Sequence, residues 1–201
     1  MLRNNSLLFF KKFIHNPKYV GSITPSSRYL ANRMVAAAKW EEAENIVEVG
    51  SGTGAITHAI AKRVMHKSKV ILFEKDEEMA QRLQQDFPQF MREGNALRLV
   101  DQLKKHKIHE VDYIFSGLPF YNFSPAMRLQ LILQCKEALK PGGKLIAFQY
   151  SLQMKNLLSE HFEIETISLV PFNIPPAFVY VCRKPVKFEG EKSYGRHISR
   201  R

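Results

Sequence analysis

Apolar residues come along this chain in short, nearly unbroken bursts. "NIVEVG" (45–50), "KVILFE" (69–74), "VDYIFS" (111–116) and "KLIAFQY" (144–150) are strand-length runs, and they predict strands buried on both faces. "FMREG" (90–94) is a weaker example. Between them the apolar period lengthens to that of a helix over 54–65, 77–86 and 125–140, the last stopped by "Lys-Pro-Gly-Gly". Strands separated by helices are βαβ units, which set the strands parallel. After "PGGK" the rhythm changes. "FEIETISLV" (162–170) and "AFVYVCRK" (177–184) have only a Pro-rich loop between them, too short for a helical crossover, so they predict an antiparallel hairpin. The expected fold is α/β: a seven-stranded, mostly parallel sheet with a C-terminal antiparallel hairpin and helices on both faces.

The two ends follow other patterns. On a helical wheel at ~100° per residue, Leu2, Leu7, Phe9, Phe10, Phe13 and Ile14 of "LRNNSLLFFKKFIH" (2–15) share one side, and Asn5, Lys11, Lys12 and His15 take the other. Charge is distributed to match. Residues 1–40 hold seven Lys/Arg and no acid, residues 183–201 hold seven against two, and the stretch between is close to neutral, although the 201-residue chain carries +11. A neutral body with basic ends predicts an anionic partner, either a membrane surface or nucleic acid. Phenylalanines facing lysines are what an interfacial helix uses, so lipid is favoured over nucleic acid. The expected organisation is an N-terminal amphipathic segment (1–26), a catalytic domain (27–184) and a basic tail (185–201).

Composition narrows the setting. At 45% apolar and 24% charged the chain is that of an ordinary globular protein. No apolar run approaches the ~18 residues that cross a bilayer. Cys135 and Cys182 form no close pair, which supports neither a disulfide framework nor a zinc site. A monomeric cytoplasmic protein, peripherally attached to a membrane, is expected.

The chemistry begins at "Glu48-Val-Gly50-Ser51-Gly52-Thr-Gly54", which follows the first strong strand and opens the next helix. Its G-x-G-x-G spacing differs from the dinucleotide fingerprint, because Ala55 stands where a glycine would be required, and it lacks the Gly-Lys-Ser/Thr of a phosphate loop. Glu74 ends the second strand, where a carboxylate can accept both hydroxyls of a ribose. Lys75 follows it. At the end of the third strand, "Gly94-Asn95-Ala96" offers a side-chain amide to an adenine edge. A ribose acid and an adenine amide on a loop unsuited to pyrophosphate point to S-adenosyl-L-methionine.

These residues and the "PGGK" turn resemble the class I S-adenosylmethionine-dependent methyltransferases, a Rossmann-like family whose sheet ends in the hairpin read above. The resemblance covers roughly residues 27–184. It implies that the glycine loop underlies the methionine part of the cofactor, Glu74 holds the ribose and Asn95 meets the adenine.

The acceptor side is "Ser116-Gly117-Leu118-Pro119-Phe120-Tyr121". Ribosomal RNA adenine dimethyltransferases, which the chain is similar to in pattern, carry Asn-Leu-Pro-Tyr/Phe here. Gly117 keeps the turn and lacks the amide that would make a conjugated adenine nitrogen nucleophilic. The chain also stops soon after its last strand, which leaves no room for the C-terminal helical domain of those enzymes. "FIHNPKYVGSITPSSRYLA" (13–31) and "FNIPPAFVYVCRK" (172–184), with "SGLPF", resemble bacterial phospholipid N-methyltransferases instead. That resemblance implies methylation of an aminophospholipid of the phosphatidylethanolamine class. It implies further that Ser26 or Ser27 caps a helix closing over the cofactor, and that Tyr19 touches cofactor or headgroup. Phe120, Tyr121 and Phe123 form a candidate aromatic wall. His15, Tyr19 and Tyr121 remain open as the base. RNA adenine N6-methylation, and a cofactor-binding protein without turnover, are the alternatives.

Overall fold

The computed structural model describes residues 26–186. The segment 2–15, Tyr19 and the tail from 187 onward lie outside the described residues. Seven strands form one sheet: β1 Asn45–Val49, β2 Lys69–Phe73, β3 Met91–Glu93, β4 Val111–Ser116, β5 Leu139–Gln149, β6 Glu163–Val170 and β7 Ala177–Arg183. The helices are α1 Arg28–Val35, α2 Ala55–Ala61, α3 Glu77–Asp86, α4 Leu99–Lys105, α5 Pro125–Ala138 and α6 Lys155–His161. Strand order is β3-β2-β1-β4-β5-β7-β6. The first five strands pair in parallel, and β7 runs antiparallel to both β5 and β6. The predicted architecture and the terminal hairpin are both present.

Strand alternation builds two cores from single strands. Ile46, Tyr113, Phe115, Ile146 and Phe148 pack on the face covered by α1, α2 and α3. Val47, Val49, Ile114 and Leu145 pack on the face covered by α4, α5 and α6. The strands are apolar on both faces because both faces are covered.

Helix boundaries depart from the periodicity in two places. The helix expected over 54–65 is confined to α2, and the one expected over 125–140 stops at Ala138. There β5 begins at once and absorbs "Lys-Pro-Gly-Gly" as a bulge, with Val111 opposite Leu139 and Tyr113 opposite Lys144. α4 and α6 were not expected. Each has seven residues, and α6 buries only Leu158, too little for a repeating apolar stripe.

At the amino end of β4, Asp112 ties the centre of the sheet together. Its Oδ2 accepts from the backbone N–H groups of Glu44 and Asn45, each at 2.8 Å, and its Oδ1 pairs with Lys140 of the bulge. Burial by itself would raise the carboxyl's pKa, but the two N–H donors and the ammonium outweigh it and hold the carboxyl below its ordinary value. A depressed acid stabilises the fold above its unfolded pKa, and this contribution is lost as pH falls. Asp112→Ala is therefore expected to cost about 2–4 kcal/mol in denaturant unfolding at pH 7. The difference from the parent protein should narrow below about pH 4.

Candidate functional site

The strand order turns back on itself between β1 and β4, so their carboxyl ends open a crevice. The loop leaving β1 is pinned across the end of β2. Gly50 and Ser51 both donate to the Phe73 carbonyl, at 2.8 and 3.3 Å. Gly50, Gly52 and Gly54 all have positive φ, at 73°, 53° and 81°, a region in which other residues are strained. Their missing side chains face different things. At Gly54, the cap of α2, a Cβ would meet Leu83 at 3.1 Å and Phe87 at 3.6 Å. Gly54 thus serves packing against α3. At Gly50 a Cβ would lie 2.8 Å from Leu118 Cδ2. At Gly52 it would meet nothing within 4 Å, so this glycine looks onto open ground.

Glu74 stands beside that opening. Its Oε2 accepts from Gly52 N–H at 2.7 Å, and its Oε1 accepts from Asp76 N–H at 2.9 Å. The carboxylate thus braces the glycine loop, and each oxygen retains a lone pair for a further donor. Lys75 beside it is exposed. One strand along, Gly94 and Asn95 follow β3. Asn95 Oδ1 accepts from Leu97 N–H at 3.0 Å and caps a short turn begun by the half-buried Ala96.

Glu48 is placed differently from its neighbours in the motif. It is wholly buried beneath the loop, and its Oε2 accepts from Thr57 Oγ1 at 2.7 Å. Burial, against the Thr57 bond and with the negative Glu74 adding to it, raises its pKa from 4.5 to about 8. Among the described residues, Glu48 Oε1 and the buried Ser51 Oγ have no hydrogen-bond partner.

On the acceptor side, Ser116 is fully buried and its Oγ accepts from Leu118 N–H at 3.4 Å. Gly117 donates to the Val49 carbonyl at 2.9 Å. A Cβ on Gly117 would sit 2.5 Å from the Gly50 carbonyl oxygen, so the two loops cross backbone to backbone. The Leu118 carbonyl accepts from Phe120 N–H at 3.0 Å and from Gln149 Nε2 at 2.9 Å, which occupies both of its lone pairs. The Pro119 carbonyl accepts from Asn122 N–H at 2.9 Å. Phe120 does not stand in an aromatic wall. It is 1% exposed and packs in the core against Phe123. Tyr121 is 51% exposed, on a loop clasped by Arg128, whose guanidinium donates to the Tyr121 and Phe123 carbonyls at 3.0 and 2.9 Å.

Ser27, rather than the half-buried Ser26, caps α1, accepting from Leu30 N–H at 3.2 Å. Its own N–H donates to Asn173 Oδ1 at 2.9 Å. Thr57, Arg128, Gln149 and Asn173 were not singled out from the sequence. Only Gln149 left a trace there, as a polar residue at the end of an otherwise apolar strand.

An ornithine lipid N-methyltransferase of Singulisphaera acidiphila is 33% identical over 184 residues, covering 88% of this chain and 94% of its own. The chain belongs to the class I S-adenosylmethionine-dependent methyltransferases. The ribosomal RNA adenine dimethylase family matches this methyltransferase over residues 9–102, a stretch that holds the glycine loop, Glu74 and Asn95 and ends before Ser116. Ribosomal RNA small subunit methyltransferase A of Thermotoga maritima is 27% identical over 204 residues, covering 92% of this chain and 70% of its own. Among solved structures, the N-methyltransferase NodS of Bradyrhizobium japonicum bound to S-adenosyl-L-homocysteine superposes with a TM-score of 0.63. It is 13% identical and covers 90% of this chain and 99% of that one, a likeness of fold.

The methyltransferase uses S-adenosylmethionine, and its residues fit that group. Gly52 leaves an uncovered cradle, Glu74 flanks it with free lone pairs, and two buried polar atoms at the loop lack partners among the described residues.

The contacts separate two glycines by experiment. Gly117→Ala forces a clash with backbone and is expected to lose about 1–3 kcal/mol of stability, read as the unfolding midpoint in denaturant. Gly52→Ala costs only about 1 kcal/mol, from its left-handed φ. It fills the cradle, however, and should weaken S-adenosyl-L-homocysteine binding at least tenfold by calorimetry, about 1.4 kcal/mol. The raised pKa of Glu48 gives another expectation. Its folded value lies above its unfolded one, so its contribution is present below about pH 4.5 and is lost as pH climbs through about 8. Glu48→Gln should therefore flatten the fall in melting temperature between pH 5 and 9 and leave the variant the more stable protein at pH 9.

Proposed function

We propose that this methyltransferase moves the methyl group of S-adenosylmethionine to a primary alkyl amine carried on a lipid. The observation that carries the reading is the backbone crossing of Gly50 and Gly117. A nucleobase amino group has its lone pair conjugated into the ring and needs acceptors to release it. A side-chain amide at position 117 would collide with the Gly50 carbonyl, and the neighbouring Leu118 and Pro119 carbonyls already accept bonds. An alkyl amine has a localised lone pair and needs none of these acceptors.

The alkyl amine must instead arrive uncharged. With a pKa near ~10.4, that costs roughly 4–5 kcal/mol at neutral pH. Orienting two reactants in one site contributes about 7–11 kcal/mol, enough to offset it without a dedicated strong base. The cofactor supplies a methyl group on a sulfonium, open to in-line attack. Gly52 gives the cofactor room to approach, Glu74 accepts the ribose hydroxyls and Asn95 meets the adenine. Ser26 and Ser27 close the site from the start of α1. Residues 27–184 make up the cofactor-binding unit. Tyr121, the exposed ring nearest the Gly117 turn in the chain, is suited to face the alkylammonium product.

The headgroup amines of phosphatidylethanolamine and of an ornithine lipid present the same chemistry, and the Singulisphaera relative is named for the second. The basic ends and the apolar face of 2–15 support work by a monomer at an anionic membrane surface. RNA adenine methylation is the second reading, favoured by the family match over 9–102. Labelled cofactor offered separately with phosphatidylethanolamine vesicles, ornithine lipid vesicles and ribosomal RNA tests both. Label is expected in lipid, and whichever vesicle acquires it names the headgroup. Label in RNA with none in either lipid overturns the proposal.

A further inference from the structure

Because β7 is antiparallel to both β5 and β6, β6 points the same way as β5. The loop after β6, residues 171–176, therefore sits on the rim that holds the glycine loop and Glu74. Phe172 is 72% exposed and Ile174 is 68% exposed, while Asn173 between them is 2% exposed. The buried residue holds the loop in place. Asn173 accepts from Ser27 N–H at 2.9 Å and donates to the Pro175 carbonyl at 2.7 Å, so the apolar side chains on either side are turned outward. Tyr29 packs on Phe172 with ring centroids 5.5 Å apart, and the Arg28 guanidinium lies 5.4 Å from the Tyr29 ring. Leu152, in the loop after β5 on the same rim, is also exposed.

An apolar protrusion held out by a buried hydrogen-bonded residue is a surface prepared for an apolar medium. Its charge is one-sided. Arg28 and Arg33 lie on α1, and no acid occurs within residues 1–40. The acids of β6, Glu163 and Glu165, are at the strand's opposite end, paired with Arg183 and Lys144. The described residues begin at Ser26, beside the Ser27–Asn173 bond, and the sequence before them holds Lys11, Lys12, Lys18 and three phenylalanines.

We propose that Phe172, Ile174 and Tyr29 form a membrane-docking tip, which enters the headgroup region of an anionic bilayer with Arg28 at the level of the phosphates. Docked in this way, the protein presents its crevice rim to the layer in which lipid amines lie. The inference rests on the lipid-acceptor reading and adds the surface by which that acceptor is reached.

The test uses the full chain and sedimentation with vesicles of phosphatidylethanolamine and phosphatidylglycerol. The double variant Phe172→Ser/Ile174→Ser is expected to lose about tenfold or more in vesicle partitioning. Met65→Ser, which changes an exposed apolar residue in the loop entering β2 at the opposite rim, should partition like the parent. The double variant should keep its melting temperature and its affinity for S-adenosyl-L-homocysteine, and should still methylate whichever short-chain, monomeric lipid the parent methylates, phosphatidylethanolamine or ornithine lipid. Unchanged vesicle binding by the double variant overturns the proposal. So does a fall in melting temperature without a change in partitioning, which would mean that the chain's own N-terminal segment covers the patch. A parent dimer that the double variant dissolves in vesicle-free sedimentation, with partitioning unchanged, would assign the patch to a second copy and overturn it equally. If the parent docks through the tip and methylates neither phosphatidylethanolamine nor ornithine lipid, in vesicles or as short-chain monomers, the docking surface stands and the lipid-acceptor reading fails.

Discussion

Two carbonyl-bearing backbones meet at the centre of this molecule, and much of the site follows from that contact. Gly50 leaves β1 and Gly117 leaves β4 at the point where strand order reverses, close enough that neither position has room for a side chain. The contact draws the glycine loop down over the end of β4. Gly52 is left as the loop glycine facing open space, and Leu118 is carried to where Gln149 can hold its carbonyl. A class I fold leaves the substrate undetermined. Here the proposed alkyl-amine acceptor rests on position 117 being sterically closed to a side chain.

Around this crossing the polar groups are arranged in layers. Glu74 works on the surface of the loop, as a brace in the structure and as the proposed ribose acceptor when the cofactor is bound. Glu48 works beneath it, held neutral by burial near neutral pH and tied to α2 through Thr57. Asp112 does the corresponding work at the amino end of β4, but ionised, because it has two N–H donors and a lysine while Glu48, more deeply buried, has only Thr57 and lies near the negative Glu74. Two buried carboxyls on adjacent central strands thus end in opposite protonation states, and the balance of burial against donors and neighbouring charge decides which.

One rim of the sheet carries both the candidate site and the proposed docking tip. The parallel strands send their loops there, and the inserted β7 returns the chain so that the loop after β6 also reaches it. The exposed Phe172 and Ile174 stand on the same side of the molecule as the crevice. Among the described residues, no helix is long and apolar enough to cross a membrane.

The sequence by itself determined the strands, their mostly parallel arrangement, the closing hairpin and the glycine loop with Glu74 beside it. Each of these is encoded locally, in apolar runs, in connection lengths and in glycines at fixed offsets. It did not show that Gly54 faces α3, that Phe120 belongs to the core, that Gln149 saturates the Leu118 carbonyl or that Asn173 turns its neighbours outward. α6 escaped notice because it buries a single residue, and α4 because one member of its buried i, i+3, i+4 set, Gln102, is polar. Those outcomes were decided only in the tertiary structure, since each depends on a partner from another element: Gln149 is 31 residues from Leu118, and Asn173 is 146 from Ser27. A residue type announces what a side chain can bond to, and only the folded chain brings the particular partner within reach.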